Sequence, residues 1–142
     1  MMEMDVVSLY DKPLNRSVVD VVVIAIAWES DLSPVETLVL LAIGTKMDCY
    51  NDRTVLLPPD IAFLCRKSEA VIVASLKSLE RKCFLKLDIF NGKIIDIWTG
   101  EIIRHRTRIE EGILRDRIQK DRDMKAARKQ LAASRKAARA AQ

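Results

Sequence analysis

Six basic residues near the C-terminus have the spacing of a single chemical surface. Lys125, Arg128, Lys129, Arg135, Lys136 and Arg139 stand at offsets of 0, 3, 4, 10, 11 and 14, which on an α-helix put all six on one face. No acidic residue follows Asp123, and alanine, the best helix former, fills most of the other positions. A face that only keeps a helix soluble ordinarily mixes both signs. One sign in one stripe instead suits a phosphate backbone, whose charge it neutralises with release of counterions. A membrane-surface helix fits less well, because the opposite face offers alanine where bulky apolar anchors are required. Upstream, Arg104, Arg106 and Arg108 flank His105, a basic cluster able to hold a phosphate; the plainer reading leaves His105 among exposed charges.

Other chemistry is poorly represented. Cys49, Cys65 and Cys83 are odd in number and lie 16 and 18 residues apart, and His105 is the only histidine. That pattern makes neither a disulfide framework nor a zinc site, and separate thiols suit a reducing cytoplasm. The chain has four glycines, no G-x-x-x-x-G-K loop, no G-x-S-x-G elbow and no acid pair beside a histidine base. Asp48 and Asp52 read as turn formers. The expectation is a protein that is not an enzyme, with no metal and no cofactor.

The elements that must position the basic residues follow from patterning. The chain has 142 residues and a mass of 16.1 kDa, the size of one domain with appendages. Residues 1–100 hold 11 basic and 14 acidic residues, while 101–142 hold 13 basic and 6 acidic. A slightly acidic body is therefore followed by a basic arm that seeks a polyanion. The longest apolar stretch, Val21 to Ala27, is far short of the roughly 20 residues a membrane span requires. Glu3 and Asp5 at the start do not make a secretory signal. The expectation is a cytoplasmic protein with no membrane partner.

Residues 1–16 read as a loose arm with a turn near Pro13, and Ser17 to Trp28, rich in β-branched residues, reads as either a strand or a buried helix. Ser33-Pro34-Val35-Glu36 is a capping box with proline at the first helical position. It opens a helix to about Met47, with Val35, Leu38, Val39, Ala42 and Met47 on one face. A polar loop over 48–53 and a short β-prone run over 54–57 follow. Pro58-Pro59-Asp60 starts a second helix to about Cys65, Arg66-Lys67 forms a tight turn, and Ser68 caps a third helix to about Lys82. There Ile72, Leu76 and Leu79 recur at helical spacing and predict a core stripe. Leu38, Ala42, Ile61, Ile72, Leu76, Leu79 and Leu85 are expected to share one core. Leu85, Leu87 and Ile89 alternate with Lys86 and Asp88, Asn91-Gly92 signals a tight hairpin turn, and Lys93 to Trp98 returns.

Helix, short strand, helix, tight turn, helix and β-hairpin is the winged helix-turn-helix order. The fold class is mainly α with a small β-hairpin, with 1–30 as an N-terminal arm and apolar segment, 31–100 as the winged domain and 101–142 as a long basic helical tail.

Residues 27–87 carry a more particular pattern: Ala27-Trp28, Leu32-Ser33-Pro34, Leu38-Val39-Leu40-Leu41-Ala42, Asn51-Asp52, Pro59, Ile61-Ala62, Ser68, then Ile72, Leu76, Leu79 and Glu80 ahead of Phe84-Leu85. In these positions the chain resembles the helix-turn-helix domains of phage and plasmid replication proteins, including those similar to phage replication protein O. The resemblance implies binding to double-stranded DNA, with the third helix in the major groove and the wing near the backbone. The chain departs from that pattern at Arg66 and Cys83, where glycine is usual, and at Lys67, where an apolar residue is usual.

The expected DNA-facing set is Lys67, Ser68, Lys77, Arg81, Lys82, Lys86 and Lys93, together with Arg104, Arg106, Arg108 and the six tail cations. Of the outward residues expected on the third helix, Glu69, Ala70, Val71, Val73, Lys77 and Ser78, only Lys77 has a side chain of the kind that best reads base edges. Exposed Val71 and Val73 point to a different class of function, a protein contact with a second copy of the chain or with replication or transcription proteins. In that reading the basic tail alone touches nucleic acid.

Overall fold

The computed structural model describes residues 17–141; the arm expected over 1–16 lies outside the described residues. The described residues fall into two compact units, 17–110 and 111–141.

In the first unit, helix α1 (Val19–Glu29) settles the ambiguous apolar segment as a helix, with Val19, Val22, Val23, Ile26 and Ala27 buried. It packs against α2 (Pro34–Thr45), which begins at the expected capping box. Ser33 Oγ accepts from the Glu36 amide, and Glu36 Oε1 accepts from the Ser33 amide, each at 3.2 Å. The inward face of α2 differs from the expectation. Val39, Leu40 and Ile43 are buried with Glu36, whereas Leu38 is 42% exposed and Ala42 only half-buried. Met47 is not helical at all: it pairs with Thr54 in two short strands, β1 (Met47–Asp48) and β2 (Arg53–Thr54). The run expected to continue to Leu57 stops early, because Leu57 is already the N-cap of the next helix.

Helix α3 (Pro58–Cys65) takes proline at its first positions, and the Leu57 amide donates to Asp60 Oδ2 at 2.9 Å. It ends at Arg66, whose backbone is left-handed at φ 54°. Helix α4 (Glu69–Arg81) follows from Ser68, whose Oγ accepts from the Val71 amide at 3.3 Å. Ile72, Leu76 and Leu79 are fully buried, as the spacing predicts. Cys83 after it is also left-handed, at φ 69°. At both departures from the glycine pattern the backbone thus keeps the conformation glycine adopts most readily.

The wing is β3 (Leu85–Phe90) and β4 (Lys93–Thr99), joined by Asn91 and Gly92. Both turn residues have positive φ, as a two-residue hairpin turn matched to strand twist requires. A register shift between Asp88 and Ile89 leaves Ile89 opposite Ile94 and Ile95 unpaired; Ile89, expected inward, is 50% exposed. All four strands form one antiparallel sheet in the order β1-β2-β4-β3. Leu85, Leu87 and Ile97 face the helices and join the core.

Helix α5 (Glu101–Ala140) buries Ile103 and Thr107. The Gly100 amide donates to Phe84 O at 2.8 Å and the Ile102 amide to Cys83 O at 3.2 Å. The chain is therefore a winged helix-turn-helix of mainly α class with a small β-hairpin sheet and a long C-terminal helix.

Candidate nucleic-acid interface

Helix α4 presents to solvent the side opposite its core stripe. With Ile72, Ser75, Leu76 and Leu79 turned inward, Ala70, Ala74, Lys77 and Arg81 are exposed on the opposite side at helical spacing. Two alanines leave the centre of this face low, so its backbone can come close to a groove floor, and Lys77 and Arg81 supply long donors that suit guanine. Ala74 belongs to this face although it lies outside the expected outward set. Ser78, expected outward, is half-buried, and its Oγ donates to Glu36 Oε2 at 3.0 Å. Val71 is exposed as expected, but Val73 is half-buried on the flank of the core stripe.

The cations divide by whether they already have a partner. Lys82 Nζ lies 2.9 Å from both oxygens of Glu36, a carboxylate that is 5% exposed. Burial raises the pKa of Glu36, but hydrogen bonds from Lys82, Ser33 and Ser78 outweigh it and lower the value to about 2. Arg106 is held on three sides: two nitrogens reach Glu29 at 3.0 and 3.2 Å, and Nε reaches Glu110 at 2.9 Å. Arg104 Nε donates to Thr99 Oγ1 at 3.4 Å. Lys82 and Arg106 are thus already ion-paired within the fold, and each keeps spare N–H donors.

Lys67, Lys77, Arg81, Lys86, Lys93 and Arg108 are exposed, and none has an ion-pair partner among the described residues. Arg66 in the turn belongs with them, a cation the sequence showed only as a departure from glycine. Near the wing, Arg53 lies 5.7 Å from the centre of the Trp98 ring and 3.4 Å from Asp96, while Trp98 Nε1 donates to Asp88 Oδ2 at 3.0 Å.

The second unit contains the basic stripe. Lys125, Arg128, Lys129, Arg135, Lys136 and Arg139 lie within a continuous helix and are all exposed. None has an ion pair among the described residues. A shallow surface depression is lined by Arg122, Lys125, Ala126, Arg128 and Lys129. Among the described residues no helix is long and apolar enough to cross a membrane, and no group of three or more His, Cys, Asp or Glu could hold a metal ion.

No known family model matches the chain, and no curated protein does. Among solved structures, it is similar to MepR, a transcription regulator of the Staphylococcus aureus multidrug efflux pump MepA. The match has a TM-score of 0.41 and 14% identity over 82% of this chain and 89% of that one. The winged helix-turn-helix assignment rests on this chain's own element order, caps and strand register.

Proposed function

We propose that the protein binds double-stranded DNA, with α4 in the major groove. The observation that carries this reading is the outward face of α4: Lys77 and Arg81 are exposed and unpaired among the described residues, beside the small Ala70 and Ala74. Arg66, Lys67, Ser68, Lys86 and Lys93 supply backbone contacts around it, and Arg104 and Arg108 add to them. Such contacts position a protein without reading sequence. The basic stripe at 125–139 engages phosphates in its own right. The resemblance of residues 27–87 to phage and plasmid replication proteins supports action in replication initiation or transcription control of a mobile element.

A protein-docking reading has one observation in its favour. Phe63 on α3 is 82% exposed, and Val71 beside the DNA-facing side of α4 is 41% exposed, which suits a second copy of the chain or a replication or transcription protein. Titrating the full chain into labelled specific and random duplexes at two salt concentrations separates the two readings. Docking of α4 in the groove predicts saturable association that favours the specific duplex over random ones at both salts; association without preference that is lost as salt rises would leave only the basic tail on DNA and refute it.

A further inference from the structure

The outer end of the wing is built unlike a phosphate-binding loop. From Ile89 to Ile95 it holds four large apolar residues, one cation, Lys93, and no acid. Phe90 is 64% exposed, and Ile89 and Ile95 are exposed with it. They do not extend the core, whose wing contribution consists of Leu85, Leu87 and Ile97 with Ile94 packed at its edge. The register shift after Asp88 leaves Ile95 on β4 without a facing residue. Below the tip, Asp88 stands opposite Asp96. Both carboxylates are engaged, one by the Trp98 indole and the other by the Arg53 guanidinium. The tip thus offers apolar surface and a single positive charge at the end of a two-stranded ribbon.

We propose that this tip is a wedge for the minor groove of duplex DNA, in which Phe90, flanked by Ile89 and Ile95, opens a base step while Lys93 lies on a neighbouring phosphate. The inference rests on the DNA-binding reading above and adds a deformation of the duplex to it. A minor groove about 6 Å wide admits side chains rather than a paired ribbon, so the contact is made by the Phe90 ring and its apolar neighbours at the tip. Apolar side chains placed between base steps unstack them and kink the duplex by about 20–90°. Lys93 and the exposed Lys86 give the attraction to phosphate that the apolar tip lacks. The exposed cations Lys77 and Arg81 lie on α4, the helix packed against β3, and favour DNA over an apolar protein or a lipid surface as the occupant.

The test uses the full chain and a duplex of about 30 base pairs with a central TA step, the kind that kinks most easily. Donor and acceptor dyes at its two ends report bending by energy transfer, and anisotropy of the same duplex reports binding. The wild type should raise transfer on binding. Phe90→Ala, with an unchanged melting temperature, should still bind but leave the duplex straight, whereas Lys93→Gln should weaken binding and keep the bend. Binding by the wild type without a bend overturns the wedge and leaves the DNA-binding reading standing. Absence of binding overturns both. A Phe90→Ala variant that bends the duplex like the wild type, or that loses only attachment to anionic vesicles, also overturns the wedge.

Discussion

Replacing Glu36 with glutamine should remove a clamp that holds the C-terminal end of α4 against the N-terminus of α2. The carboxylate is nearly inaccessible, accepts from the Ser33 amide and Ser78 Oγ, and meets Lys82 at 2.9 Å. Its pKa falls from 4.5 to about 2 on folding. At about 1.4 kcal/mol per pKa unit this corresponds to roughly 3 kcal/mol of stability. Because the folded value is the lower one, that stability is complete above the unfolded pKa and disappears as pH falls from about 5 towards 2. Glu36→Gln resembles the protonated acid, so it should cost roughly 3 kcal/mol at pH 7 and almost nothing near pH 2. Lys82→Gln should cost less, about 1 kcal/mol, since the lysine is partly solvated and screened. Urea unfolding of the wild type and both variants across this pH range measures the differences. A Glu36→Gln penalty under about 0.5 kcal/mol at pH 7, or one that stays constant down to pH 3, would refute the reasoning.

Leu76→Ala should destabilise by about 2–5 kcal/mol in the same assay, because Leu76 is fully buried in the stripe of α4; under half a kilocalorie would place it outside the core. Gly100→Ala should cost about 1–3 kcal/mol or more, since a Cβ there would lie 2.7 Å from the Phe84 carbonyl carbon, a backbone atom with little room to move; an unchanged melting temperature would contradict this. Removing residues 124–142 should flatten the slope of log affinity against log salt by several units, at about 0.9 per phosphate contact, and lower affinity for all duplexes alike. Identical slopes would make the stripe a solvated face.

The parts of the fold legible in the sequence are those fixed by local rules. The capping box at Ser33, the cap at Ser68 and the Asn91-Gly92 turn each specify a backbone geometry within four residues, and each is formed. The stripe of α4 was legible because its other side is polar or small. Helix α2 lacks that contrast: Val35 to Ile43 is apolar almost throughout, interrupted only by Glu36 and Thr37, and the helix packs against α1, α3 and α4. Spacing therefore could not tell exposed Leu38 from buried Leu40. Two-residue strands such as β1 are below what period-2 patterning can resolve.

The candidate interface was legible only as a set of cations. Which of them are engaged within the fold depends on pairings between distant residues, Lys82 with Glu36 and Arg106 with Glu29, that no local spacing encodes. Likewise the register shift after Asp88, which leaves Ile95 unpaired on β4, has no signal in the alternation of the sequence.

The central claim is that the exposed side of α4 is the DNA-reading face, and charge reversal at its two exposed cations tests it most directly. Lys77→Glu and Arg81→Glu together, in the full chain with its basic stripe intact, should leave the melting curve near that of the wild type, because both side chains are exposed. The account predicts that duplex affinity falls sharply and that any preference among sequences is lost with it. A folded double variant that binds and discriminates duplexes as the wild type does would contradict the account.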